Sequence, residues 1–156
     1  MLTYLFTEDP PAHPPIFLSS LPNSERDAIS LRDKRAVIVE DEGITQLQLK
    51  RLLRSEGIAV VGTASNGQEG VECVLRERPD FVLMDIRMPD MDGLEATERI
   101  LAEYRVCIVM LTAFSDEAYR QRATELGVSG YVLKPVTVET LMPPLKVAYH
   151  QFHNPA

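Results

Sequence analysis

Little in this sequence favours a cross-linked, membrane-spanning or nucleic-acid-wrapping protein. Cysteine is scarce: Cys73 and Cys107 are the only two. Each lies inside an apolar stretch, which argues against a disulfide framework and reads as two packed thiols in a reducing compartment. No apolar run approaches the length of a membrane span. The N-terminus carries acids and prolines where a secretory signal needs a basic patch and an apolar core, so the expected location is the cytoplasm. Positive charge is in deficit as well, with 16 Lys and Arg against 23 Asp and Glu and a net charge of −7. The first 34 residues hold five of those acids and three of the bases, so the acidity is spread along the chain. Such a surface argues against binding a nucleic-acid backbone through net charge. Internal repeats are absent too.

What is present fits one domain with a modest appendage, since 156 residues allow a single hydrophobic core. Residues 1–34 stand apart. Pro10, Pro11, Pro14, Pro15 and Pro22 cluster there, and proline removes an amide donor and fixes its own backbone angle. The expectation is a loosely ordered, extended arm, with Ser24 and Asp27 able to open a short helix toward Lys34. A regular domain is expected over 35–152, followed by a short tail at 153–156.

Short runs rich in branched residues occur at Ala36–Val39, Ile58–Val61, Phe81–Met84, Val106–Leu111 and Tyr131–Leu133. They are continuous rather than alternating, as strands covered on both faces should be. Between them lie helical stretches: Ile44 to a stop at Gly57, Gly67–Arg78 before Pro79, Gly93–Tyr104, Ser115–Leu126 with Ser115 as N-cap, and Thr137–Phe152. Alternation of five strands with five helices predicts a doubly wound parallel α/β domain. Pro143 and Pro144 fall inside the last helix, which predicts a kink or a fresh start at Pro144.

In such a sheet, functional groups gather beyond the C-terminal ends of the strands. Those ends carry Glu40 and Asp41, Asp85, Thr112, and Lys134 with Pro135. Three carboxylates packed together repel one another and lose solvation. A hard divalent cation removes that penalty, and Mg2+ fits best because it accepts a few carboxylates plus waters and phosphate oxygens. Thr112 and Lys134 would then meet the other oxygens of a phosphoryl group. A solvated acidic pair at a helix start is the plainer account of Glu40 and Asp41, but it leaves the other strand ends unexplained. Asp90 and Asp92 read as turn residues beside Gly93, and His150 with His153 as a polar helix end. His13 has no evident role.

The segments AVIVED (36–41), FVLMDIRMPDMDG (81–93), VMLTA (109–113) and GYVLKP (130–135) resemble the receiver domain of two-component response regulators, in the order that family shows. The resemblance implies a flavodoxin-like five-stranded sheet of strand order 2-1-3-4-5, and that Asp85 accepts a phosphoryl group from a sensor histidine kinase or a histidine phosphotransfer protein. It implies Mg2+, with Mn2+ able to substitute, held by Glu40, Asp41, Asp85 and the backbone carbonyl of Arg87. Thr112 and Lys134 would contact the phosphoryl oxygens, Tyr131 would be the switch aromatic, and Pro135 would follow a cis peptide bond. Ala113 would leave access to the acyl phosphate, and Arg87 and Phe114 occupy places that tune its loss. The implied role is signalling without turnover: self-phosphorylation and slow self-dephosphorylation only. With few residues after Phe152 the expected output is protein binding, or onward transfer of the phosphoryl group to a histidine phosphotransfer protein; a homodimer through the last two helices and strand five is one form such binding could take. The VETLMPPLKVAY stretch (138–149) is similar to receivers that precede ANTAR antitermination modules. An aspartyl-phosphate phosphatase of the haloacid dehalogenase type would need an acid two residues after Asp85, where Arg87 stands.

Overall fold

A computed structural model describes residues 29–113 and 117–155. The arm preceding Ile29, including the expected Ser24–Asp27 cap, lies outside the described residues, as do Phe114 and Ser115. Five parallel strands are present: β1 (Arg35–Val39), β2 (Ala59–Ala64), β3 (Phe81–Asp85), β4 (Cys107–Thr112) and β5 (Gly130–Leu133). Their order is β2-β1-β3-β4-β5, the order expected. The five helices are α1 (Gly43–Ser55), α2 (Gly67–Glu77), α3 (Gly93–Leu101), α4 (Glu117–Leu126) and α5 (Val138–His153).

Local chemistry sets most of the boundaries. Gly57 ends α1 with a φ of 80°, a conformation that costs a residue without Cβ least. Asn66 caps α2 by accepting from the Glu69 N–H, and Asp92 caps α3 by accepting from the Glu95 N–H. Thr137 and Thr140 form a reciprocal capping box at the start of α5. α3 stops at Leu101, three residues short of the expected end. Tyr104 turns away there, its hydroxyl donating to the Pro79 carbonyl at 2.9 Å under the Arg78 guanidinium.

Two further expectations shift. β2 runs on to Ala64, because pairing with β1 continues to the Val39–Ala64 partners past a register shift beside Ala36 and Val37. As an edge strand it is only partly buried, which is why Gly62 and Thr63 are tolerated in it. The restart at Pro144 does not occur: α5 is one helix through both prolines. The donors they remove would have reached the carbonyls of Glu139 and Thr140, two water-exposed residues. Buried Leu141, Met142, Leu145, Val147 and Ala148 meanwhile hold α5 in place.

Alternate strand residues divide the core. Val37, Val39, Val82, Met84, Ile108 and Met110 face Val71, Val74, Ala96 and Ile100 of α2 and α3. On the other face Ile38, Leu83 and Leu111 meet Leu49 and Leu53 of α1 and Leu141 and Leu145 of α5. Cys73 and Cys107 are free thiols buried in these layers. The parallel register brings all five C-terminal strand ends to one rim.

That rim depends on one close approach. The Gly93 N–H donates to the Ile86 carbonyl at 2.7 Å, and a Cβ at Gly93 would sit 2.2 Å from the Asp85 carbonyl oxygen. Backbone cannot yield as a side-chain tip can. Gly93→Ala should therefore cost about 1–3 kcal/mol in urea denaturation, the range for forced overpacking. Gly43→Ala, with nothing within 4 Å of the added methyl, should leave the urea midpoint within about 0.5 kcal/mol of the parent.

Candidate functional site

Glu40 follows β1 directly and is 1% exposed, and the chain turns outward at Asp41. β3 ends in Asp85, which is also buried. One carboxylate oxygen from each of the three lies within 4.8 Å of the others. This is the one group of metal-ligating side chains found among the described residues.

Glu40 and Asp85 each meet a backbone N–H, and they share one lysine. The Glu42 N–H donates to Glu40 Oε2 at 3.1 Å, and the Arg87 N–H approaches Asp85 Oδ1 at 3.4 Å. Lys134 reaches in from the end of β5, its Nζ 3.0 Å from Glu40 Oε1 and 3.3 Å from Asp85 Oδ1. The Lys134–Pro135 peptide is cis, and the Lys134 N–H donates to the Thr112 carbonyl at 2.8 Å. Thr112 itself is buried at the end of β4, and its Oγ1 has no hydrogen-bond partner among the described residues.

The electrostatics show the strain of this crowd. Burial, then the neighbouring Glu40 charge, pushes the Asp85 carboxyl up to about 7, and the Lys134 ammonium offsets this only in part. Burial alone would lower the Lys134 pKa. The Glu40 and Asp85 carboxylates outweigh it, and the ammonium is held above its ordinary value. One ammonium among three carboxylates leaves negative charge uncompensated. Hard oxygen donors at this spacing, with an unpartnered hydroxyl nearby, fit a small divalent cation.

Other expected residues fall at the edge of this group. Arg87 is exposed, and its guanidinium lies 5.6 Å from the Tyr119 ring on α4. Tyr131 is half-buried and turned into α4, donating to the Arg120 carbonyl at 2.8 Å and touching the Thr124 hydroxyl. Asp92 is the α3 cap and Asp90 takes a φ of 66° in the turn. His153 packs on Tyr149 and Phe152 at the far end of α5. Three contacts carry no sequence signal: the Glu42 amide on Glu40, Tyr119 over Arg87, and Gln46, whose amide reaches the Glu40 and Ala64 carbonyls.

An acidic triad, a hydroxyl and an ammonium at the rim of a 2-1-3-4-5 sheet define a class, and comparison with known proteins agrees with it. Residues 36–146 match the model of the response regulator receiver domain. The chain belongs to that family. It is 38% identical over 128 residues to the transcriptional regulatory protein PdtaR of Mycobacterium tuberculosis, covering 82% of this chain and 62% of that protein. With the transcriptional regulatory protein LnrK of Bacillus subtilis it shares 41% identity over 110 residues, 69% of this chain and 50% of LnrK. The chain thus spans between half and two thirds of these relatives. Among solved structures, the signal receiver domain of a modulated diguanylate cyclase from Desulfovibrio desulfuricans superposes with a TM-score of 0.72 at 33% identity, covering 80% of this chain and 99% of that one. The response regulator domain of Thermotoga maritima CheB gives 0.70 at 28% identity over the same shares. Receiver domains are phosphorylated by histidine kinases, and the acidic pocket here is consistent with that signalling class. No helix among the described residues is long and apolar enough to cross a membrane.

The raised Asp85 pKa has a consequence for stability without metal. A carboxyl near 7 when folded and near 3.8 when unfolded binds more protons in the folded state between those values, so stability falls as pH rises through that window. In EDTA, the urea midpoint of the wild type should drop between pH 5 and pH 8 relative to that of Asp85→Asn. The difference between the two curves reports the Asp85 carboxyl together with its coupling to Glu40 and Lys134.

Proposed function

We propose that this protein is a phosphoacceptor switch in which Asp85 takes a phosphoryl group from the phosphohistidine of a sensor kinase or a histidine phosphotransfer protein. The observation that carries the proposal is the meeting of three carboxylates within 4.8 Å with one lysine on two of them. A carboxylate oxygen of Asp85 would attack phosphorus while the P–N bond to the donor imidazole breaks, leaving an acyl phosphate. Glu40, Asp41, Asp85 and the backbone carbonyl of Arg87 would hold Mg2+, or Mn2+ in its place. When bound, the ion supplies positive charge to the phosphoryl oxygens and relieves the repulsion among the carboxylates. Lys134 would pass from its carboxylate partners to a phosphoryl oxygen, and the unpartnered Thr112 hydroxyl would donate to another. Such a transfer asks for positioning and charge neutralisation, so no deep pocket is needed. The role is that of a covalent signal acceptor and not of a turnover catalyst.

The output would follow from two elements that bear on the site. An inward movement of Thr112 would let Tyr131 change its place, which requires breaking its bond to the Arg120 carbonyl. The face beside it, formed by α4, β5 and α5, exposes Tyr119, Leu133 and Val138. A partner protein or a second copy of the chain would bind there. The domain division that accompanies this reading is an arm over 1–34, a receiver over 35–152 and a tail over 153–156.

The test is phosphoryl uptake from acetyl phosphate or from a phosphorylated kinase, read by intact mass. Wild-type protein with Mg2+ should become phosphorylated, EDTA should stop it, and Asp85→Asn should take up none. Lys134→Ala should slow uptake by roughly a hundredfold, the scale of losing one charge-stabilising donor. Phosphorylation of Asp85→Asn at the wild-type rate would refute the assignment.

A further inference from the structure

We propose that Gln46 is a positioning residue for the acidic site: its amide clamps the Glu40–Asp41 peptide so that both side chains meet Asp85. The inference rests on the reading of these three carboxylates as a divalent-metal site. Gln46 lies in the first turn of α1, half-buried, in line with buried Leu49 and Leu53. Spacings of three and seven residues put it on the stripe that faces the core, where an apolar side chain is the ordinary occupant. A polar side chain there needs a reason.

The hydrogen bonds supply it. Gln46 Nε2 donates to the Glu40 carbonyl at 3.0 Å and to the Ala64 carbonyl at 3.1 Å. These oxygens end two adjacent strands, β1 and β2. The Ala64 carbonyl also accepts the Glu40 N–H at 3.0 Å. Glu40 is therefore pinned through its backbone N–H on one side and its carbonyl on the other. That carbonyl shares a planar peptide unit with the Asp41 nitrogen. Holding the plane sets the direction in which the chain leaves toward Asp41, whose side chain is exposed. The Gln46 N–H also donates to the Glu42 carbonyl at 2.9 Å, so the turn after Asp41 is tied to the same residue. One residue thereby joins the start of α1, the end of β1 and the end of β2 around the paired acids.

A residue that merely satisfied two strand-end carbonyls would affect stability and leave cation binding alone. Gln46→Glu separates the two roles. It keeps the size of the side chain, cannot donate when ionised, and brings a negative charge close to the cation site. Through-space attraction alone predicts tighter Mg2+ binding, whereas loss of the clamp predicts weaker binding. Mg2+ titration calorimetry on the full chain, with thermal melts in EDTA, reads both. The expected result is a Kd about tenfold weaker in Gln46→Glu, the lower end of the loss caused by removing an outer hydrogen-bond partner of a metal site. The rise in Tm on adding Mg2+ should shrink in parallel. Gln46→Leu, apolar at a core-stripe position, provides the same comparison if Gln46→Glu does not fold, and its Mg2+ affinity should fall similarly. Mg2+ affinity at or above the wild-type value, with only the metal-free Tm lowered, would overturn the inference. A wild type that takes up no Mg2+ would instead refute the metal-site reading and this one with it.

Discussion

The mutual repulsion of Glu40, Asp41 and Asp85 is the constraint around which this protein is organised. Folding pays to bring three carboxylates within 4.8 Å of one another at a rim from which water is partly excluded. Burial first, and the Glu40 charge second, push the Asp85 carboxyl up to about 7, which expresses part of that cost. Lys134 offsets part of it, and its ammonium holds its proton the more firmly for doing so. Nothing so unfavourable persists unless the surrounding structure over-determines it. Here the over-determination is visible in the backbone: a Glu42 amide on Glu40, an Arg87 amide beside Asp85, and a Gly93 amide on the Ile86 carbonyl.

The rest of the fold supplies rigidity to that rim. β1, β3 and β4 are the three central strands, and their side chains are buried on both faces apart from partly exposed Arg35. Close-packed layers of this kind transmit displacement instead of absorbing it. α1 and α5 close one side, α2 and α3 the other, and the loops carrying the acids are short. The edges behave differently. β2 and β5 are only partly buried, and β5 carries both Lys134 at its end and Tyr131 within it. In the proposed role, the rigid centre holds the anions and the less covered edge carries the response.

Much of this is legible in the residues because parallel strands demand both of their signatures at once. Continuous branched runs mark the strands, Gly57 and Pro79 mark helix ends, and the sheet order accords with the alternation. Placing Glu40, Asp41, Asp85, Thr112 and Lys134 at strand ends requires nothing beyond that. The departures share a physical cause, which is tertiary contact overriding local pattern. The apolar run of β2 fades after Val61, yet pairing with β1 extends the strand to Ala64. Half-buried Tyr104 fits the apolar stripe of α3, although its ring serves Pro79 and Arg78 outside the helix. Pro143 and Pro144 ought to break α5, but packing of Leu141 and Leu145 outweighs two lost bonds to the carbonyls of the exposed residues Glu139 and Thr140. Gln46 leaves no trace, since side-chain to backbone bonds across strands have no spacing rule.

These observations bear on how so small a site can act as a switch. In the proposed role, three carboxylates and one ammonium leave the rim negative, and a divalent cation would be drawn in by a field the fold has already built. Covalent capture of a phosphoryl group on Asp85 would then replace a buried carboxylate by a more highly charged mixed anhydride at the same point. Lys134 cannot satisfy both its present carboxylate partners and that new charge equally well. Its movement, and that of the Thr112 hydroxyl, would act on β4 and β5, which pair from Val109–Gly130 to Thr112–Leu133. Tyr131 lies inside that register and is tethered to α4 by its hydroxyl. A change of charge at the rim would therefore reach first the two strands beside the exposed face. In that role the cost of crowding the acids would make the site responsive: the same desolvation and repulsion that burden the metal-free fold would give an incoming cation and phosphoryl group something to relieve.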